Sequence, residues 1–292
     1  NYTLSGGTHQ LTVNQRPLNA TLARQYDGTT TSAGSTLSGF DALQGGETLT
    51  LSGSGTAASA NVANGITMSS NGNLALADGT GAASNYSLNS TVINIAKRVL
   101  NSSGSKAYDA NTNALAGAIT LSNLVSGEAL NHSGTATTSS ANAASYTITN
   151  LAGITIADGS GGAASNYTLT GGTHNFTINQ RPLNATLARQ YDGTTNAAGS
   201  TLSSFDALQG GETLTMTGSG TAASANVANG IAMSSNGNLA LANGTGAASN
   251  YSLNSAAINI TKRVLNSSGS KIYDANTNAL AGAITLSNLV SG

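Results

Sequence analysis

The stretch Arg16–Gly28 reads RPLNATLARQYDG and returns letter for letter at Arg181–Gly193. A copied element of this length marks a structural unit rather than an isolated motif. Two variants, KRVLNSSGSKAYDA at Lys97–Ala110 and KRVLNSSGSKIYDA at Lys262–Ala275, fill the positions between and after the copies. The pairs Tyr26-Asp27, Tyr108-Asp109, Tyr191-Asp192 and Tyr273-Asp274 are thereby spaced by 82, 83 and 82 residues, and like types recur every 165. Two module types alternate, A-B-A-B.

A second marker keeps the same phase. Asn1-Tyr2, Asn85-Tyr86, Asn166-Tyr167 and Asn250-Tyr251 are each followed by Ser or Thr and then Leu, and they place a closing strand at each module end. That strand runs into Lys97-Arg98-Val99-Leu100 without a Gly, Pro or Ser linker, so the modules are expected to join strand to strand. The boundaries fall at 1–14 (the end of a preceding module), 15–96, 97–179, 180–261 and 262–292 (the start of another), and the chain reads as an excerpt. Arg16, Pro17, Lys97, Arg98, Arg181, Pro182, Lys262 and Arg263 mark the joints.

Within residues 15–96 the pattern is that of strands. Leu18, Ala20 and Leu22 alternate with Asn19, Thr21 and Ala23, the period of a half-buried strand. Tyr26-Asp27-Gly28 then breaks it: Asp can accept from the backbone two residues on, and Gly accepts a positive φ. Tyr26 is expected to pack its ring on the core and find a hydroxyl partner near the turn. Ile66-Thr67-Met68 and Leu74-Ala75-Leu76 flank Ser70-Asn71-Gly72, a hairpin signal. Six or seven short strands per module predict a small antiparallel β-sandwich or β-grasp-like sheet, repeated in a rod, with a β-solenoid of about 20-residue coils as the alternative. A domain near 80 residues is marginal alone, so neighbouring modules are expected to support one another.

Composition excludes several functions. Charged residues make up 7% of the 292 and aromatic residues 4%, against roughly 25% charged in an average globular chain. Ser, Thr, Asn and Gly keep it soluble and favour strands and turns, while helix formers are scarce. Ten basic and eleven acidic residues give a net charge of -1, which leaves no patch for nucleic acid or anionic lipid. The absence of cysteine removes disulfides and thiol chemistry, and it suits export in unfolded form across a bacterial envelope. No apolar run approaches the roughly 20 residues of a membrane span.

The basic residue followed by Pro or Val and Leu, the Tyr-Asp-Gly-Thr-Thr corner, the central Gly-Gly-Glu-Thr-Leu-Thr-Leu and the closing Asn-Tyr-Xaa-Leu with Ile-Asn-Ile together resemble the YDG and related MBG (mostly beta, glycine-rich) modules. These occur in tandem in filamentous-haemagglutinin-like, two-partner-secreted adhesins of Gram-negative bacteria. The B modules depart from the pattern with Ala110 and Ala275 where the A modules have Gly28 and Gly193. The resemblance implies an extracellular or cell-surface stalk or fibre in cell attachment or biofilm matrix. Its partners would be further copies of itself, by lateral or fibre association, or extracellular polysaccharide.

Catalysis is not expected, nor a metal or cofactor. His9, His132 and His174 have no second His or acidic residue beside them and read as surface strand positions. Gly53-Ser54-Gly55 and Gly159-Ser160-Gly161 read as loops rather than nucleophile elbows. Asp-Gly pairs at Asp27, Asp78, Asp158 and Asp192 raise calcium, yet the acidic residues are too few and too scattered for six to eight oxygens. Asn243 also replaces Asp78 in the second A module. Asn-Xaa-Ser/Thr triplets such as Asn19 and Asn101 are common because the composition is. A glycan hydrolase would need paired carboxylates, and Trp, the usual sugar platform, is absent. A passive spacer and a self-associating or polysaccharide-binding filament both remain.

Overall fold

Apolar alternation in the opening stretch makes a strand, and the partner of that strand decides the topology. In the computed structural model, which describes residues 1–148 and 151–291, β1 (Arg16–Gln25) buries Leu18, Ala20 and Leu22 and leaves Asn19 exposed. There follow β2 (Thr36–Phe40), β3 (Leu49–Ser52), β4 (Thr56–Ala57), β5 (Ala63–Ser70), β6 (Ala75–Asp78) and β7 (Tyr86–Ala96). Five of these form a sheet in the order β2-β1-β7-β5-β4, while β3 and β6 make a separate ladder. The repeats are all-β, without a closed barrel, and recur at about 82 residues.

The antiparallel expectation holds for β1 with β2, β5 with β7, β4 with β5 and β3 with β6. It does not hold at the centre of the sheet. β1 and β7, the first and last strands of the repeat, run parallel from Arg16 opposite Tyr86 to Gln25 opposite Ala96, with a bulge after Leu18. Parallel neighbours need a long crossover, and here the rest of the repeat supplies it.

The hairpin expected at Ser70-Asn71-Gly72 is also corrected. Leu74 N–H does donate to Asn71 O at 2.9 Å, so a turn exists. The strands beside it part company: β5 pairs with β7 and β4, whereas β6 pairs with β3, placing Leu76 opposite Leu51. The turn passes the chain between two ladders because Ile66 and Met68 pack with Ile93, while Leu76 packs with Leu18 and Leu49. Gly72, at φ 55°, is required there, since a Cβ would sit 2.4 Å from Ser54 O.

The residues fall into two compact units. The first comprises Asn1–Ser103, Leu115–Ala136 and Thr149–His174. Its main core gathers Leu22, Tyr26, Ile93 and Ile95 from the first repeat with Leu100 and Tyr167 from the second. The strands Arg98–Val99 and Tyr167–Thr168 repeat the parallel pairing in short form. The second unit comprises Gly104–Ala114, Thr137–Ile148 and Asn175–Gly292. There the strands Arg181–Gln190 and Tyr251–Thr261 pair in parallel with the bulge after Leu183, and Leu187, Ala197, Ala222, Ile258 and Ile260 form the core.

Candidate functional site

The Tyr-Asp corner forms through side chains that its own strand delivers. Gly28 takes φ 77°, and Asp27 Oδ1 accepts the Thr29 N–H at 3.0 Å. Arg24, three residues before Asp27, donates to its Oδ2 at 2.9 Å and to the carbonyls of Thr29 and Thr31. Arg189 repeats this on Asp192 at 2.9 Å, with Gly193 at φ 79°. In the B corners lysine does the work: Lys106 lies 2.7 Å from Asp109, and Lys271 lies 2.9 Å from Asp274. Ala110 and Ala275 hold φ 60° and 62°, so the alanine variant keeps the left-handed turn at a cost that glycine avoids.

Tyr26 departs from its expected role. Its side chain is buried, 5% exposed, but its hydroxyl does not turn back to the corner. It donates to Glu128 Oε1 at 2.6 Å, 102 residues further on. The other carboxylate oxygen, Oε2, accepts from Tyr167 at 2.7 Å. The two rings meet edge to face with centroids 5.4 Å apart, a favoured aromatic geometry. One glutamate of the second repeat therefore holds a tyrosine from each of two repeats.

Other residues close the same joint. Asn166, 1% exposed, accepts the Val62 N–H at 2.9 Å and donates to Asn61 Oδ1 at 3.0 Å. Arg98 Nε donates to Asn123 O at 2.6 Å, and its Nη1 reaches Tyr26 O at 3.4 Å. A Cβ on Gly28 would lie 2.9 Å from Val125 Cγ1, so the missing side chain lets the second repeat approach.

The second unit contains the same joint on different residues. Tyr108 donates to Glu212 Oε1 at 2.6 Å and Tyr251 to Oε2 at 2.5 Å, with ring centroids 5.3 Å apart. Asn250 accepts the Ala143 N–H at 2.8 Å and donates to Asn142 Oδ1 at 3.1 Å. Arg181 donates to Ala207 O at 2.9 Å and to Tyr108 O at 3.4 Å. Burial, and then the hydrogen bond to the glutamate, push the Tyr26 and Tyr108 phenols up to about 12. Tyr167 and Tyr251 are raised by the same two causes in the same order. All four stay neutral donors to a carboxylate, an arrangement that fastens repeats together.

The remaining marked residues take supporting places. Arg16 Nε donates to Ala42 O at 2.7 Å, and Pro17 and Pro182 sit in the parallel ladders opposite Ser87 and Ser252. Lys97 and Lys262 are exposed. Arg263 binds Asn288 through its carbonyl and side-chain oxygens. The Tyr191 N–H donates to Thr261 O at 2.9 Å, while Tyr273 is 90% exposed. The sequence reading missed Glu128, Glu212, Asn166 and Asn250 as joint residues and Arg24 as the residue that braces the corner. A signal was present, because glutamate occurs only at positions 47, 128 and 212, one per repeat at one phase.

The histidines also need correction. His174 is 6% exposed rather than on the surface, with Nδ1 3.0 Å from Ser102 Oγ and Nε2 2.8 Å from Leu169 O. A buried ring gains more from these two partners than from solvent on one side. His132 lies against the carbonyls of Ala116 and Ile119, and His9 is exposed. Among the described residues no three His, Asp or Glu side chains come together as metal ligands. Asp78 Oδ1 instead accepts the Ala83 N–H at 2.7 Å, and Asn243 Oδ1 accepts the Ala248 N–H at 2.8 Å. An amide serves that turn as well as a carboxylate does.

The family model described as the YDG domain matches residues 9–93, 96–174 and 178–260. The chain belongs to the YDG domain family. Each Tyr-Glu-Tyr joint therefore links two YDG repeats, the first with the second and the second with the third. No curated protein and no solved structure matches the chain.

Proposed function

We propose that this YDG chain is a non-enzymatic repeat region of a large secreted or cell-surface bacterial adhesin, acting as an extended stalk or fibre in cell attachment or in a biofilm matrix. The observation that carries this reading is the repeated joint. The three glutamates of a chain with eleven acidic residues all stand at one phase of the repeat, and two of them hold neighbouring repeats together. Lack of cysteine and low charge suit passage through an outer-membrane exporter and life outside the cell. Among the described residues no helix is long and apolar enough to cross a membrane, and the proposal places no part of these repeats in one. The low charge also weakens repulsion between fibres, which supports association with further copies or with extracellular polysaccharide.

Small-angle scattering on the full chain tests the stalk. Three repeats set end to end, each about 36 Å long if an 11-residue strand such as β7 spans it, give a radius of gyration of roughly 30 Å. A compact chain of this length gives roughly 19 Å. The extended value is expected, and the compact value would overturn the proposal.

A further inference from the structure

Both B corners keep an alanine in a left-handed turn, Ala110 at φ 60° and Ala275 at φ 62°, where the A corners have Gly28 and Gly193. A residue with a Cβ is strained in that conformation and glycine is not. The methyl therefore stands where it costs stability, and a strained residue held at a contact points to a role for the strain.

Each corner meets the lip of the socket that receives its tyrosine. In the B socket of the second repeat the lip is Val125-Ser126-Gly127-Glu128, and in the A socket of the third repeat it is Gln209-Gly210-Gly211-Glu212. Val125 and Gln209 hold the same place, because each gives its N–H at 3.1 Å to the socket's own tyrosine, Tyr167 or Tyr251. The A corner lies hard against its lip. A Cβ on Gly28 would be 2.9 Å from Val125 Cγ1 and 3.5 Å from Glu128 Oε1, the oxygen that accepts from Tyr26. Gly193 repeats this, with 2.8 Å to Val290 Cγ1. Valine has one χ angle with a strong preference, so it does not swing aside as a long side chain would. The B corner has room. Its lip turns through two left-handed glycines, Gly210 at φ 59° and Gly211 at φ 74°. Even a Cβ on Gly210 would stand 3.8 Å from the Ala110 methyl, an ordinary van der Waals contact.

We infer that the alanine after Tyr-Asp in a B corner is a specificity-determining residue, whose methyl fits the glycine lip of an A repeat and is refused by the valine lip of another B repeat. The A corner, with no methyl, enters the valine lip. Choice between partners is made by rejecting the wrong one as well as by binding the right one, and the strained alanine supplies the rejection. Like repeats share long identical stretches, and docking onto the wrong copy is a characteristic failure of repeat proteins. A methyl that bars B from B keeps the second repeat on an A neighbour. This matching does not depend on the adhesin reading.

Urea unfolding of the full chain, followed by circular dichroism, tests the inference with two pairs of variants. Gly28→Ala puts a methyl before the valine lip of the first joint and is expected to lower the midpoint. In a Val125→Ala background the same change is expected to cost at most about half as much, since the left-handed strain remains and the overlap does not. The second joint gives the reverse. Gln209→Val brings valine to the lip that faces Ala110, and Ala110→Gly is then expected to raise the midpoint by at least about twice what it does in the native chain. That pair decides the matter even where Gly28→Ala does not fold. Equal losses from Gly28→Ala in both backgrounds, or equal gains from Ala110→Gly with either lip, overturn the inference, because the methyl is then felt by its own backbone alone. Either result leaves the scattering test of the stalk untouched.

Discussion

Replacing Tyr26 by Phe removes one hydroxyl and keeps the ring, so it isolates the bond to Glu128. A hydrogen bond to a charged group contributes about 1.5–3 kcal/mol. The phenol titration points the same way: burial first, and then the bond to Glu128, raise its pKa from 10.0 to about 12. For a unit of this size, removing the bond is a loss of roughly 4–10 °C in melting temperature. The direction with pH follows from the neutral phenol being the favoured form in the fold. The contribution is complete below the unfolded value near 10 and is lost as pH rises toward about 12. Urea unfolding of the native chain, Tyr26→Phe, Glu128→Gln and the double variant should show that the second change costs less once the first is made. Fully additive losses, or a Tyr26→Phe chain that melts like the native one at pH 7, would refute the phenol-carboxylate account of the joint.

Three further substitutions probe neighbouring features. Ala110→Gly relieves a left-handed alanine at φ 60° and should stabilise by about 0.5–1 kcal/mol, read as a higher urea midpoint. Asn166→Ala strands the Val62 N–H that it now accepts at 2.9 Å; an expected loss of about 1–3 kcal/mol is checked by thermal melting. Asp78→Asn should change stability by less than about 0.5 kcal/mol, because Asn243 fills the same role in the third repeat. Added calcium should leave the melting temperature of both forms in place, and a rise in the native form alone would identify a metal site there.

The strand periodicity and the corners were legible because they depend on local chemistry. Leu18, Ala20 and Leu22 announce a buried face, and Asp27 and Gly28 announce their turn, whatever the rest of the chain does. The parallel pairing of β1 with β7 was not legible, since nothing in Arg16–Gln25 records which of several later strands will lie beside it. Asn71-Gly72 misled for a related reason: the dipeptide specifies a turn but not whether the flanking strands share a ladder. The joint was half visible. Tyr26 and Asn166 each stood in a marker that the periodicity exposed, and Glu128 shares the phase of Glu47 and Glu212, but their meeting depends on a fold that brings residue 26 to residue 128.

The parallel pairing has a mechanical consequence. Within the first repeat the chain enters at Arg16, at one end of the β1–β7 ladder, and leaves at Ala96, at the other. Tension applied through the backbone therefore slides the two strands lengthwise past each other and loads their cross-strand bonds in shear, all at once. In an antiparallel hairpin pulled from adjacent ends, the same bonds would open singly, like a zipper. The third repeat has the same arrangement from Arg181 to Thr261. A repeat wired in this way resists extension along its length far better than its lean core and scarce charges would lead one to expect.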